Sequence, residues 1–226
     1  MNKSKLLIKQ IKTIVKDRLK DDSTGHGYYH SYRVVKLALK LGHLEKADLF
    51  ILELAAWLHD IAVPLGREKH EDNGAKITKQ ILAKLNVDLK TASQVSNCVL
   101  KHRYSRKYKM NTIEEKIISD ADNLDALGAI IIPRIFAHCG VYKIPIYDPK
   151  IKPNRQIYLS TGRSATGINH IYEKLLDIPN CLYTNSAKQI AKPRIKFLKD
   201  FLQQYLDEFN GKKLTIYLKK KQLNRF

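Results

Sequence analysis

The chain has 226 residues, of which 44% are hydrophobic and 28% are charged, so it is long enough to bury a core and is neither a disordered nor a fibrous chain. Lysine and arginine number 41 against 22 acidic residues, which gives a formal net charge of +19. This excess favours anionic partners, namely phosphate-bearing small molecules, nucleic acid or acidic membrane surfaces. The three cysteines are widely spaced, which argues against a disulfide framework or a zinc ribbon and favours a reducing, cytoplasmic location.

The N-terminal segment, residues 1–20, is predicted to form an amphipathic helix, because Leu7, Ile11 and Ile14 recur at helical spacing. Lysine or glutamine interrupts its apolar stretch every few positions, so it lacks a signal-peptide core, and no segment of the chain approaches transmembrane length. We expect this helix to pack on the main domain, and a role at a membrane surface is the less favoured alternative. The run from Asp21 to Gly25 then predicts a turn.

The main domain is predicted to span residues 21–210 and to be all-α, a compact multi-helix fold with no substantial sheet. Apolar residues recur at helical spacing almost throughout, and alternating strand patterns are nearly absent. Ile171, Leu175 and Ile178 predict one helix near the end of the domain. The last long helix is predicted from about Asn185 to Phe209.

Three further features interrupt or end this pattern. Pro193 is expected either to kink the last helix or to mark its true start. The stretch 140–167 contains Pro145, Pro149 and Pro153 with little periodicity, so it is predicted to be a structureless loop and interpreted as an active-site flap. Residues 211–226 are predicted to form a basic C-terminal tail.

Four histidines fall on or beside apolar helix faces and near helix ends: His30, His59, His70 and His102. A lone histidine in such a position is more often a packed core residue than a ligand. Buried ionisable groups must, however, be paired or bound to metal, so four together indicate a functional cluster. His59 is followed directly by Asp60, which adds a carboxylate at the same helix end.

The remaining acidic candidates come from the helix that ends at Asp125. Asp120 lies in the middle of the stripe formed by Ile117 and Leu124, whereas Asp122 and Asp125 share another face. Periodicity alone does not select a metal ligand among these three aspartates. A capping or surface role is the alternative for each.

These residues carry a resemblance. The pattern His30-x-x-x-Val34-Val35, His59-Asp60-Ile61-Ala62 and Ala121-Asp122-Asn123-Leu124 resembles the H…HD…D signature of the HD superfamily of metal-dependent phosphohydrolases. Further stretches, over roughly residues 20–210, are similar to a subgroup of small stand-alone bacterial-type HD hydrolases. Some members of that subgroup hydrolyse nucleoside triphosphates to monophosphates and pyrophosphate, which the resemblance implies as the leading specific activity.

The resemblance implies a metal site and selects Asp122 over Asp120. Its implied ligands are His30, His59, Asp60 and Asp122. Two imidazoles and two carboxylates suit a divalent Mn, Fe, Co, Ni or Mg ion better than a structural zinc, and an octahedral ion would keep about two positions for water and substrate oxygen. The chain lacks the Glu-Asp pair that is found shortly after the motif in alarmone hydrolases, which weakens an alarmone assignment.

Negative charge that develops on phosphoryl oxygens predicts cations close to the metal. The expected phosphate-binding residues are Arg33, Lys101, Arg103, Lys174 and His26, of which Lys174 rests on the resemblance. His70 and His102 are predicted to bind phosphate or to protonate the leaving group, and Asp125 is predicted to orient the nucleophilic water. Solvated charge or structural hydrogen bonding is the alternative for each of these residues.

Three functional hypotheses follow. The leading one is a metal-dependent hydrolase of phosphate esters or anhydrides that acts on a nucleotide. The second is a phosphodiesterase for cyclic or linear nucleotides. The third is a non-catalytic module that binds nucleic acid or nucleotides, suggested by the charge of +19 and by the tail residues Lys219, Lys220 and Lys221. Substrate identity, metal count and oligomeric state stay open.

Overall fold

The computed structural model describes residues 3–66, 68–103, 106 and 108–212. In these ranges the chain forms ten α-helices, two 3₁₀ segments and no strand, which confirms the all-α prediction. The helices are α1 (Lys3–Arg18), α2 (Tyr28–Glu45), α3 (Leu49–Leu58), α4 (His70–Lys84), α5 (Leu89–Lys101), α6 (Ile113–Asp125), α7 (Ile131–Tyr142), α8 (Arg155–Thr161), α9 (Gly167–Glu173) and α10 (Asn185–Phe209). The 3₁₀ segments are Val63–Leu65 and Leu175–Cys181. The predicted basic tail lies outside the described residues, apart from its first two positions.

Helix α3 is the centre of the bundle. Seven of its ten residues are buried, and it packs against α1, α2, α5 and α6. A helix that is apolar on all sides is typical of a core element. Asp48 fixes its start by accepting hydrogen bonds from the Phe50 and Ile51 amides. Because α3 runs through the core, its end delivers His59 and Asp60 to the middle of the molecule.

The N-terminal helix packs on the core as expected. Ile8, Ile11 and Val15 are buried on one side of α1, which contacts α3. The Lys12 ammonium lies 5.3 Å from the centre of the Trp57 ring, a cation–π distance. In the described part of the chain, no single helix is long and apolar enough to cross a membrane; only the strongly bent pair Leu49–Leu65 and His70–Lys84 reaches that length and apolarity together.

The prediction of a structureless loop over residues 140–167 is wrong in two places. Helix α7 continues to Tyr142, and α8 lies inside the stretch. Asn154 caps α8 by accepting a hydrogen bond from the Ile157 amide. Helix α8 buries none of its residues, so no apolar period signals it. The Gly167 amide donates a hydrogen bond to the Pro145 carbonyl oxygen, which connects the stretch to the start of α9. Its role as a flap stays a prediction.

The helix predicted across Ile171 and Ile178 is divided into α9 and the second 3₁₀ segment, which contains Pro179. Proline has no amide hydrogen for an α-helical bond, which favours the break. Pro193, by contrast, lies inside α10 and does not mark its start. Thr184 caps α10 by accepting a hydrogen bond from the Ala187 amide, so the helix begins at Asn185.

Candidate metal centre

Four histidines meet at the centre of the bundle, and each comes from a helix end. His30 is the third residue of α2, His59 directly follows α3, His70 begins α4 and His102 directly follows α5. All four are buried. Their rings make edge-to-face contacts, with centres 5.0 Å apart for His30 and His59 and 5.2 Å apart for His70 and His102. The position at helix ends matches the sequence prediction.

The Asp60 carboxylate lies between two pairs of histidines. Its Oδ2 atom is 3.4 Å from His30 Nε2 and 3.6 Å from His59 Nε2. Its Oδ1 atom is 3.5 Å from His70 Nε2 and 3.7 Å from His102 Nε2. Each oxygen therefore faces its own pair of imidazole nitrogens.

Asp122 completes one of the two donor groups. Its Oδ1 atom lies 3.3 Å from His30 Nε2 and 3.9 Å from His59 Nε2. Two sets of donor atoms, each within 4.8 Å of one another, result; we name them group A (His30, His59 and Asp122) and group B (Asp60, His70 and His102). Asp60 contributes its Oδ1 atom to group B, and its Oδ2 atom lies next to the histidines of group A.

Backbone carbonyls fix two of the imidazoles. His59 Nδ1 lies 2.8 Å from the Ala56 carbonyl oxygen, and His102 Nδ1 lies 2.7 Å from that of Val99. A carbonyl oxygen only accepts, so each Nδ1 is the protonated donor. The lone pair of the neutral ring is then on Nε2, which points into the cluster. This arrangement is typical of metal-binding histidines.

Asp125 orients the His30 ring by a hydrogen bond, and Glu71 lies beside the His70 ring at an ion-pair distance. His30 Nδ1 lies 2.8 Å from Asp125 Oδ2, and His70 Nδ1 lies 3.2 Å from Glu71 Oε2. All four Nε2 atoms therefore face inward. They approach in pairs, at 3.1 Å between His30 and His59 and at 3.3 Å between the other two. Two lone pairs at such distances repel each other unless a proton or a metal ion lies between them.

The protonation of the cluster is consistent with a cation site. Burial by itself lowers the pKa of His30, but hydrogen bonds to Asp122, Asp125 and Asp60 raise this pKa to about 10. Burial also raises the pKa of Asp60, yet the positive charge near His59 and His30 holds it well below its usual range. Burial likewise raises the pKa of Asp122, but His30 and His59 hold it below its ordinary value, so both carboxylates are ionised and the position at His30 attracts positive charge.

Asp125 lies behind His30 and collects cationic partners. Arg33 donates to it through Nε at 2.7 Å and Nη2 at 2.9 Å, and Arg134 donates through Nη1 at 2.8 Å. Burial raises the pKa of Asp125, but His30 and Arg33 hold it below its ordinary value. Both carboxylate oxygens are engaged, so this residue fixes His30 and Arg33 in place. The sequence reasoning missed Arg134, for which no local pattern provides a signal.

Glu71 is the second functional candidate that sequence reasoning missed. It is fully buried on α4 beside His70. Its Oε1 atom accepts a hydrogen bond from Arg106, and its Oε2 atom lies 3.6 Å from Arg103 Nη1. The signal was present, because the adjacent His70-Glu71 pair repeats the His-acid order of residues 59 and 60.

The other predicted phosphate-binding residues have mixed positions. The His26 ring centre lies 5.7 Å from that of His30, at the edge of the cluster. Lys174 follows α9 and lies near His170, whose pKa is lowered to about 3 by burial and by this lysine. Lys101 donates to both oxygens of the buried Glu115, at 3.0 and 2.9 Å. Lys101 therefore joins α5 to α6 through an ion pair with Glu115. It is not a member of group A or group B.

Asp120 and Asp122 have different surroundings although they lie two residues apart. Asp120 Oδ1 accepts from the Tyr183 amide at 2.8 Å, and its Oδ2 accepts from the Thr184 amide at 2.8 Å and hydroxyl at 2.7 Å. These bonds hold the start of α10 against α6. Asp122 points instead toward the imidazoles of group A.

Replacing each aspartate by alanine should therefore separate stability from metal binding. We expect Asp120→Ala to lower the free energy of unfolding by about 3 kcal/mol, because it removes charged hydrogen bonds and leaves buried donors unpaired. Its Mn²⁺ affinity should stay close to that of the parent protein. Asp122→Ala should show the reverse, with weak Mn²⁺ binding and small loss of stability. Urea unfolding and calorimetric Mn²⁺ titration measure the two effects; equal loss of affinity in both variants would contradict the assignment.

Comparison with known proteins places this site in a family. The model of the HD domain family matches residues 27–127. The chain is 30% identical to the YpgQ protein of Bacillus subtilis over 206 residues. This matched region covers 89% of this chain and 93% of YpgQ. The YpgQ structure in complex with ADP superposes with a TM-score of 0.69 at 29% identity, over 89% of this chain and 96% of that one.

Two other solved structures are similar over nearly their whole length. An HD-superfamily hydrolase of Bacillus thuringiensis is 35% identical with a TM-score of 0.72, over 92% of this chain and 98% of that one. A protein of Lactobacillus plantarum is 30% identical with a TM-score of 0.76, over 91% and 98% of the two chains. The family match, the shared fold and the histidine–aspartate cluster agree, and the chain belongs to the HD superfamily of metal-dependent phosphohydrolases.

Proposed function

We propose that this chain hydrolyses phosphoanhydride bonds of nucleotides, with cleavage of a nucleoside triphosphate to a monophosphate and pyrophosphate as the leading reaction. The observation that carries the proposal is the convergence of histidine nitrogens and aspartate oxygens in groups A and B. The nucleotide is supported by YpgQ, whose structure contains ADP and whose length this chain covers almost completely. The net charge of +19 favours such an anionic substrate.

We assign His30, His59, Asp60 and Asp122 as the ligands of one divalent ion. Their inward-facing Nε2 and carboxylate atoms form a nitrogen and oxygen donor set, which suits Mn²⁺ among the metals considered. When bound, such an ion acidifies water and polarises phosphoryl oxygens. The raised pKa of His30 implies that metal must displace a proton from this ring, so binding should strengthen as the pH rises.

A second ion in group B is part of the proposal. Asp60 Oδ1 faces His70 and His102 at 3.5 and 3.7 Å, while its Oδ2 faces group A. Asp60, His70 and His102 would hold this second ion, which would supply further polarisation of phosphoryl oxygens. If only one ion binds, His70 and His102 keep the role predicted from sequence, in which they bind phosphate or protonate the leaving group.

Several side chains are proposed to act on the substrate or on the ligands. Asp125 is proposed to fix the orientation of His30 through their hydrogen bond, and the water-orienting role predicted from sequence stays a prediction. Arg33 is partly exposed beside it and is proposed to bind a phosphoryl oxygen, where its charge stabilises the transition state. His26, Arg103 and Lys174 remain candidate phosphate ligands, whereas Lys101 is occupied by Glu115. We also propose a cytoplasmic location, because all three cysteines are free thiols.

Metal analysis combined with a product screen tests the proposal. Purified protein is loaded with Mn, Fe, Co, Ni or Mg, its metal content is measured, and release of pyrophosphate and phosphate is followed across nucleoside triphosphates, diphosphates and cyclic nucleotides. We expect pyrophosphate from a triphosphate and about two ions per chain, with about one in His102→Ala. Turnover of cyclic nucleotides alone would favour the phosphodiesterase alternative, and no turnover with any of the five metals would overturn the proposed function.

A further inference from the structure

A basic groove of about 440 Å³ adjoins the Arg33–Asp125 pair. One wall is helix α2, which contributes Arg33, Lys36 and Lys40, and Arg194 of α10 lies in another wall. The link between α6 and α7, from Gly128 to Ile130, forms the remaining side. The sequence predicted Arg33 to bind phosphate close to the metal and gave no role to Lys36, Lys40 or Arg194.

The charges of this groove are not balanced. Four cationic side chains line it, and Asp125 is its single lining carboxylate. That carboxylate already accepts hydrogen bonds from Arg33, Arg134 and His30. Arg194 donates through Nη1 to the Leu124 carbonyl oxygen at 2.6 Å and forms no ion pair with a carboxylate of the described residues. The groove therefore keeps an excess of positive charge that an anion would neutralise.

The α6–α7 link brings the start of helix α7 to the edge of this groove. Helix α7 has twelve residues, and Ile130, at its N-cap position, gives it no side-chain cap. The first amides of such a helix carry the positive end of the helix dipole. Gly128 has a φ of +82°, and a Cβ there would approach Arg194 Cγ to 3.2 Å. Glycine thus lets the Arg194 side chain lie close against the link.

The spacing of the cations on α2 suits a chain of phosphates. Arg33, Lys36 and Lys40 lie three and four residues apart, which corresponds to about 4.5 and 6 Å along a helix axis. Arg33 forms the inner end of this row and shares Asp125 with His30. The groove therefore begins at Asp125, which lies behind His30, and runs along α2, where its two outer lysines are exposed.

We propose that this groove binds the phosphate groups of a polyphosphate. One source of this polyphosphate is the substrate itself, through the phosphates that lie beyond the cleaved bond. For this source the inference rests on the proposed function. A free polyphosphate that binds beside the metal centre is the other source. The same recognition chemistry, guanidinium and ammonium groups against phosphoryl oxygens, serves both.

Titration of the metal-free protein with inorganic tripolyphosphate tests the groove directly. We expect binding to the parent protein, and a loss of about tenfold or more in affinity for Lys36→Glu/Lys40→Glu, weaker at high salt. The matched control is Lys5→Glu/Lys9→Glu, which makes the same change of charge at the same spacing on α1, in a different groove of about 370 Å³. Less than about twofold loss is expected for the control. Absence of binding, or equal losses in both pairs, would overturn the proposal.

Kinetics then distinguish the two sources. A higher KM for a nucleoside triphosphate with an unchanged kcat in Lys36→Glu/Lys40→Glu would assign the groove to the substrate's own phosphates. An unchanged KM with lost tripolyphosphate binding would assign it to a separate anion. His59→Ala separates this inference from the proposed function: it should lose turnover and keep tripolyphosphate binding. Retained turnover in that variant would remove the proposed function alone, whereas lost binding would remove the groove.

Discussion

Replacing Asp60 by alanine should abolish metal-dependent turnover while leaving the chain folded. Asp60 is the one described residue whose carboxylate approaches all four histidines of the cluster, with each oxygen facing two Nε2 atoms. Its removal takes a donor from group B and also removes the oxygen that borders group A. We expect kcat/KM on a nucleotide to fall at least about 10³-fold, more than the 10–100-fold that is typical for loss of an outer-shell partner. Phosphate release and calorimetric Mn²⁺ titration measure the effect.

Two further variants control this result. Asp120→Ala removes a buried aspartate of α6 that lies outside both donor groups, so it should keep its turnover despite lower stability. His59→Ala removes one donor from group A and leaves group B complete, so one bound ion should remain. Circular dichroism verifies the fold of each variant. Full turnover of Asp60→Ala or His59→Ala would show that the metal centre is placed wrongly.

Replacing Asp125 by alanine should have the largest effect on stability. The carboxylate is buried and accepts hydrogen bonds from Arg33, Arg134 and His30. The Arg134 side chain is only 10% exposed, so its charge would stay buried without a counter-ion. Removing one partner of a buried ion pair costs about 3–5 kcal/mol, which is the expected decrease in the free energy of unfolding. Urea denaturation of the metal-free protein measures it.

The same variant should also weaken metal binding, because His30 loses the acceptor that orients its ring. We expect Mn²⁺ affinity to fall by about 10–100-fold. Arg33→Ala is the matched control, since it removes the more exposed partner and leaves Asp125 paired with Arg134. The double variant Asp125→Ala/Arg134→Met should recover part of the lost stability, because it no longer buries an unpaired charge. A stability loss for Asp125→Ala no larger than that for Arg33→Ala would contradict this account.

Much of the fold was predictable from local pattern. Apolar residues at helical spacing predict an all-α chain, and the nearly continuous apolar run of α3 predicts a core helix that ends at His59 and Asp60. Helix α8 was missed because it buries no side chain, so it has no apolar face to create a period. The helical pattern around Ile171 was followed too far, because Pro179 favours a 3₁₀ segment.

The histidine–aspartate cluster was predictable in its residue types and only in part in its arrangement. Histidines on apolar faces near helix ends indicated a cluster, and the resemblance singled out Asp122. Periodicity placed Asp120 in the apolar stripe, where it is indeed buried, but only the structure shows that Thr184 accounts for this burial. The partner of Lys101 was likewise visible only in the structure, because the buried Glu115 that accepts its hydrogen bonds belongs to a different helix.

The sequence by itself determined the all-α class, most of the helices with an apolar face and which residue types gather at helix ends, because these properties depend on neighbours within a few positions. The tertiary structure alone decided that Asp60 faces two histidine pairs, that Asp125 accepts hydrogen bonds from His30 and Arg134, and that Glu71 lies beside His70. Those contacts join distant segments, as His30 and Asp125 do across 95 positions. Local periodicity reports that a side chain is buried, and the packing of helices determines which other side chain it meets.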